Sequence, residues 1–243
     1  MKKSFLVALS LCSFFSLANA QTIKVGTEAT FAPFEFTDEK SNIVGYDVDI
    51  IKAIAKAEGF EVEVVNQPFD ALIPGVLTGQ LDGAIAGITI TEQRAKQVAF
   101  SDPYYKAGIN AVIRKEDAAK YPNLSSLKDV RLCAQIGTTG ASVAKKLSKK
   151  VGEFNTVPDA FMELNTKGCE AVVNDRPVNL YFLATKNDDA FVEIPELYNG
   201  EEYGIILSKK NPELLKKLNS GLKKIRQDGT FNQIHQKWFK TAE

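Results

Sequence analysis

The chain has 243 residues, 44% of them apolar, and its 30 basic side chains are matched by 30 acidic ones. That balance leaves no basic excess to meet a phosphate backbone, so nucleic acid is excluded as an expected partner. The length supports one large core or two modest ones.

Residues 1–20 combine Lys2 and Lys3, an apolar run from Phe5 to Leu17, and Ala18-Asn19-Ala20. Small residues stand at the two positions a signal peptidase reads, and a cleaved secretory signal is predicted. The mature chain would begin at Gln21 with 28 basic and 30 acidic residues. Cys12 raises a lipid anchor, but Leu11 stands where that signal needs a small residue. No later segment approaches the roughly 18 uninterrupted apolar residues of a membrane helix, so a soluble exported protein is expected.

The predicted elements then alternate. A strand at 23–26 leads through a loop and Gly45-Tyr46-Asp47-Val48-Asp49 into a helix at 48–58. A strand at 61–66, a helix at 69–78, a strand at 83–86 and a helix from Thr91 follow. Phe100-Ser101-Asp102-Pro103-Tyr104-Tyr105 opens an extended segment that runs through 109–114. The pattern restarts with a strand at 131–136, the loop Gly137-Thr138-Thr139-Gly140 and a helix to residue 150. A helix at 158–166, a strand at 170–174, Asp175-Arg176-Pro177 and a helix through residue 184 come next. A second extended run at 202–207 precedes Asn211-Pro212, a long amphipathic helix, and a terminal helix carrying Trp238 and Phe239. Alternating strands and helices imply parallel sheets with crossover helices, here as two α/β units in series. The two extended runs are expected to cross between them, which leaves a cleft of the kind ligands favour.

Cys133 and Cys169 adjoin strand-like runs, and an oxidising compartment favours a disulfide if those strands are neighbours. Two buried thiols are the alternative. Asp47 and Asp49 read as first-turn acids that stabilise a helix start, because no further oxygen ligands follow as in a calcium loop. No metal and no cofactor are expected, and His235, at helical spacing, is expected to pack rather than react.

Ligands of open α/β sheets gather at the carboxyl ends of strands. The loop after the first strand offers Glu28 and the ring of Phe31, and the third strand ends in Ala86, Gly87 and Thr89. Arg94 lies on the first turn of the helix behind them, where its fork and the exposed N–H groups suit a carboxylate. In the second unit Thr138 and Thr139 precede a helix and can present N–H groups to the same anion, while Asp175 ends a strand and can meet an ammonium. These groups together suit a free α-amino acid. The Gly137 loop lacks a following Lys-Ser or Lys-Thr, which disfavours a nucleotide. Each group also has a plainer use: Thr91 and Asp175 as helix caps, Phe31 and Phe69 as core residues.

The chain resembles the periplasmic amino-acid-binding proteins of ABC importers over nearly all of its mature length. The resemblance is carried by Ala32-Pro33-Phe34-Glu35-Phe36, Gly45-Tyr46-Asp47-Val48-Asp49-Ile50, Phe69-Asp70-Ala71-Leu72-Ile73-Pro74, and Ala86 through Arg94. Phe100 through Tyr105 and the run Asp228 through Phe239 complete it. Both glutamine and arginine binders are similar to it. The resemblance implies a type II periplasmic binding protein of two α/β lobes, hinged by two crossover strands. Its lobes would be residues 21–106 with 203–243, and residues 107–202. It implies Arg94, Thr89 and Thr139 on the ligand carboxylate, Asp175, Gly87 and Thr89 on the ammonium, and Phe31 and Phe69 around the side chain. Glu28 and Gln135 would face the far end. A membrane permease would be the partner of a monomeric binding protein in the periplasm.

Counting Glu28, Asp175 and Arg94, the expected pocket carries one excess negative charge. A buried unpaired carboxylate is costly, and a cationic side chain would answer it while stacking on the two phenylalanines. A basic amino acid, arginine first, is therefore expected, with glutamine or another polar amino acid as the alternative. Cyclohexadienyl dehydratases resemble the same fold and give an enzymatic alternative with Glu28 as its acid. A sensor that presents the closed lobes to a membrane kinase or channel is a further one.

Overall fold

A computed structural model describes residues 22–186 and 189–239. The predicted signal segment, and Cys12 within it, lie outside the described residues. The chain starts with β1 (Thr22–Thr27), the short antiparallel strands β2 (Thr30–Phe31), β3 (Glu35–Thr37) and β4 (Ile43–Val44), and helix α1 (Tyr46–Glu58). It continues through β5 (Glu61–Asn66), α2 (Phe69–Thr78), β6 (Gly83–Ala84), α3 (Glu92–Gln97) and β7 (Ala99–Phe100). Strand β8 (Tyr105–Arg114) enters a second sheet, followed by β9 (Leu132–Gln135), α4 (Thr139–Leu147), β10 (Val151–Phe154) and α5 (Val157–Asn165). After β11 (Ala171–Asp175) and α6 (Arg176–Lys186), the long strand β12 (Phe191–Tyr203) runs back. It leads into β13 (Ile206–Leu207), α7 (Pro212–Gln227) and α8 (Thr230–Trp238).

Two five-stranded sheets result, ordered β5-β1-β6-β13-β7 and β10-β9-β11-β8-β12. Within each, the strands followed by crossover helices run parallel, while β13 in the first and β8 in the second pair antiparallel to their neighbours. The passages between sheets are β7 to β8 and β12 to β13, and they lie side by side because Tyr105 pairs with Tyr203. Both expected crossovers are thus present, and the fold is a mixed α/β two-lobe architecture.

The central strands of each sheet are buried on both faces, as in β9 and β11, while the edge strands β5 and β10 are only partly covered. In β8, Ile109, Ala111 and Ile113 enter one apolar cluster while Val112 enters another, the period-2 alternation of a strand. Helix α7 places Leu214, Leu218, Leu222 and Ile225 on one stripe, buried with Ile50, Ile51 and Ile54 of α1. Each such side chain contributes about 1.5–3 kcal/mol when withdrawn from water.

Cys133 and Cys169 form a disulfide, with Cα atoms 6.0 Å apart. The bridge is geometrically ready because β9 and β11 are neighbours, Val172 pairing with Cys133. Among the described residues no helix is long and apolar enough to cross a membrane.

Candidate functional site

Arg94 is placed by a helix of one and a half turns. The Thr91 hydroxyl accepts the Arg94 N–H at 3.2 Å and caps α3, so the side chain leaves the helix start in a fixed direction. The guanidinium donates to the Thr89 carbonyl at 2.9 Å and, across the cleft, to the Gly137 carbonyl at 3.1 Å. It lies 5.4 Å from the Phe69 ring centroid. Burial works against its charge, and the nearby Asp175 and Glu201 favour it.

Gly87 precedes this helix in a left-handed conformation, φ +53°. A Cβ there would stand 2.9 Å from the Phe31 ring, so only glycine lets the backbone approach that ring. The Gly87 N–H is turned away from the cleft and donates to Asp47 Oδ2 at 2.8 Å.

Across the cleft, Thr138 caps α4 by accepting the Ala141 N–H at 3.0 Å, and its own hydroxyl donates to the Gln135 carbonyl at 2.7 Å. Thr139 begins the helix, its hydroxyl 3.3 Å from that of Thr89. Both hydroxyls donate to one atom, Glu201 Oε2, at 2.6 Å from Thr89 and 2.9 Å from Thr139. Glu201 comes from β12, so three segments of chain meet on this carboxylate.

Asp175 closes β11 with its side chain buried, and the Tyr203 hydroxyl donates to its Oδ2. Burial first, and then the Glu201 charge, push the Asp175 carboxyl up to about 7, against the pull of Tyr203 and Arg94. At the far end Glu28 accepts from the Thr30 hydroxyl at 2.6 Å and from Gln135 Nε2 at 3.2 Å. Burial raises its carboxyl too, opposed by those two hydrogen bonds.

Phe31, Phe69, Ala86, Gly87, Thr89, Arg94, Gln135, Thr138, Thr139 and Asp175 line one cavity of about 10 Å³, with Glu28 bonded to its wall at Gln135. All eleven residues expected from the sequence are therefore brought together, and the lobes are closed on one another. Sequence reasoning missed Glu201 and Tyr203. The structure turns Glu201 and Tyr203 inward while Glu202 between them is exposed. With Glu201 included, two carboxylates, Asp175 and Glu201, act on the Arg94 charge, and with Glu28 at the far end the site holds one more acid than the sequence count allowed.

The match to known proteins extends over the same span as this fold. The family model of bacterial extracellular solute-binding proteins, family 3, matches residues 23–241. The chain belongs to that family. Among family 3 relatives, a probable histidine-binding protein of Neisseria gonorrhoeae is 36% identical over 89% of this chain and 82% of its own length. The putative ABC transporter arginine-binding protein 2 of Escherichia coli strain K12 is 33% identical over 98% of this chain and 99% of its own length. An ancestral arginine-binding protein has been solved bound to glutamine and bound to arginine, each 42% identical with a TM-score of 0.86. Both structures align with 90% of this chain, and 97% and 98% of theirs.

Proposed function

We propose that this chain captures a free basic L-amino acid, arginine first, between its lobes and delivers it to the permease of an ABC importer. The observation that carries the reading is the charge of the cleft: Asp175 and Glu201 act on Arg94, and among the described residues Glu28 at the far end has hydrogen bonds but no cation. A zwitterion engages Arg94 through its carboxylate and Asp175 with Glu201 through its ammonium, and leaves Glu28 facing the ligand side chain. A guanidinium there pairs with Glu28, and its planar cation lies between Phe31 and Phe69. Arg94 and the N–H groups at the start of α4 take the carboxylate. The Thr89 and Thr139 hydroxyls donate to Glu201, which leaves their lone pairs free to accept from the ammonium.

The lobes of this reading are residues 21–106 with 203–243, and 107–202, hinged where β8 and β12 leave the second sheet. The protein works as a monomer in the periplasm after loss of its signal segment. It binds rather than catalyses, because Asp175 and Glu201 suit an ammonium that a dehydratase substrate such as prephenate does not carry. Glutamine remains the second reading on a specific ground: Gln135 and Glu28, paired at 3.2 Å, also offer a donor and an acceptor to a neutral amide.

Calorimetric titration tests this on the mature protein, refolded to strip carried-over ligand, with arginine and then glutamine at low and high salt. Micromolar or tighter arginine binding that weakens with salt is the expected result. Tight binding of glutamine alone would overturn the charge argument.

A further inference from the structure

Glu35 and Asp47 stand behind the cleft, on β3 and at the start of α1, and both are completely buried. Asp47 was expected to serve the helix dipole, yet its side chain turns inward. Its Oδ2 accepts the Gly87 N–H at 2.8 Å and the Tyr104 hydroxyl at 2.6 Å. Among the described residues no N–H or hydroxyl donor reaches Asp47 Oδ1 or either oxygen of Glu35. The Asp47 N–H donates to the Phe34 carbonyl, which brings Asp47 beside Glu35, and each carboxyl acts on the other. Two carboxylate oxygens hydrogen-bond only when one of them carries a proton, and two adjacent buried anions without a cation are prohibitively costly.

We propose that Glu35 and Asp47 hold one proton between them, and that this acid pair positions the Ala86–Gly87 peptide for the ligand. Glu35 carries the proton and donates it to Asp47 Oδ1. Asp47 stays an anion and anchors the Gly87 N–H, which fixes the Ala86–Gly87 peptide and turns the Ala86 carbonyl, antiparallel to that N–H, toward the cleft. The direction of the proton follows from the surroundings. Around Glu35 stand Asp47, Glu28 and Asp175, all acidic, so burial and like charge both favour its neutral form. Asp47 has the Tyr104 hydroxyl and the Gly87 N–H to support its charge, and burial pushes it only up to about 6. The backbone keeps the pair in register: the Asp47 N–H donates to the Phe34 carbonyl at 2.9 Å, and a Cβ at Gly45 would stand 2.0 Å from that same oxygen. Glu35 and Asp47 are thus positioning residues; neither lines the cavity.

The inference deepens the amino-acid-capture reading and rests on it for the role of the Ala86–Gly87 peptide. Its test has two readouts that need no ligand. Infrared spectra of the wild type at pH 8.5, where Asp175 is ionised, are expected to show a carboxylic-acid C=O band that is absent from Glu35→Gln. Amide exchange is expected to show Gly87 N–H protection retained in Glu35→Gln, which keeps a donor, and reduced at least tenfold in Glu35→Leu, which removes it. Arginine affinity should follow: within twofold of wild type for the glutamine variant, weaker by tenfold or more for the leucine variant. Absence of the band from the wild type, or its persistence in Glu35→Gln, overturns the shared proton. Wild-type Gly87 protection in Glu35→Leu overturns the positioning role. Should Glu35→Leu fail to fold, Asp47→Asn replaces it in the exchange measurement, with the same expected loss. Wild-type protein that binds no arginine, with the band and protection as expected, sinks the capture reading and leaves the acid pair standing.

Discussion

On the proposed reading, in which Asp175 meets the ligand ammonium, capture is a proton-linked event. Its carboxyl is held at about 7 in the closed, buried site, against 3.8 for a free aspartate, so near neutral pH a proton and a ligand ammonium compete for it. The sign follows directly: the bound ligand requires the ionised form, so affinity rises with pH through 7 and levels off above it. Between pH 7.5 and 5.5 the affinity should fall about 25-fold if Asp175 alone sets it. Titrations in two buffers of different ionisation heat should show proton release on binding near pH 6.5. Glu201 is one reason that carboxyl sits so high. Removing its charge in Glu201→Gln should lower the Asp175 value and move the midpoint of the pH dependence below 7. An unmoved midpoint would place Glu201 outside the field felt by the ammonium. Arg94, Thr89 and Asp175 were legible in the sequence because strand ends and helix starts announce themselves by local pattern. Glu201 was not, since Glu201-Glu202 reads as a solvated pair of charges. What turns Glu201 inward is the pairing of Glu201 with Ala107 and the bridge between Thr89 and Tyr203, and both are long-range facts.

The elements that carry cap residues and apolar periodicity were read nearly in place, and the ones that break pattern were not. Helix α1 begins at Tyr46, two residues earlier than expected, because the Pro33 and Phe34 carbonyls accept the Tyr46 and Asp47 N–H groups. Strand β10 is a run of Val151-Gly152-Glu153-Phe154 with no alternation to reveal it, and it forms because β9 offers a parallel edge. Strand β12 was seen only at its end. Pro195, Asn199 and Gly200 interrupt its sequence, and the structure absorbs them as an irregularity in pairing between Ile194 and Asn199. The disulfide belongs to this scale as well, tying β9 to the approach of β11 across 36 residues of chain. Closing a loop of that length stabilises the fold by about 3–4 kcal/mol through the unfolded state. Denaturant unfolding of Cys133→Ala/Cys169→Ala beside the wild type should show a loss of that size. A loss under about 1 kcal/mol would mean that the unfolded chain is already compact across this segment.

At the scale of the whole molecule, the alternation of strands and helices gave two units, and the two extended runs marked the crossings between them. Closure was beyond the reach of sequence. It depends on the approach of Gly137 to Asp70, whose Cβ a side chain at Gly137 would meet at 3.2 Å, and on hydrogen bonds such as Gln135 to Glu28 that no local pattern encodes. The closed cavity of about 10 Å³ is far smaller than an amino acid, so a ligand enters only after the lobes part and is held when they meet again. Its binding energy is then spent across both lobes at once. One apolar cluster already joins them, since Ile23 and Val25 of the first sheet share it with Val112, Cys133 and Val172 of the second. Unfolding should therefore be a single transition whose midpoint moves as a whole. At a ligand concentration 100 times the dissociation constant the stabilisation is about 2.7 kcal/mol, or roughly 5–11 °C in a chain of this size. Scanning calorimetry with and without arginine measures it. Two resolved transitions, of which arginine moves only one, would show that the lobes unfold separately and that the ligand is held mainly by one of them.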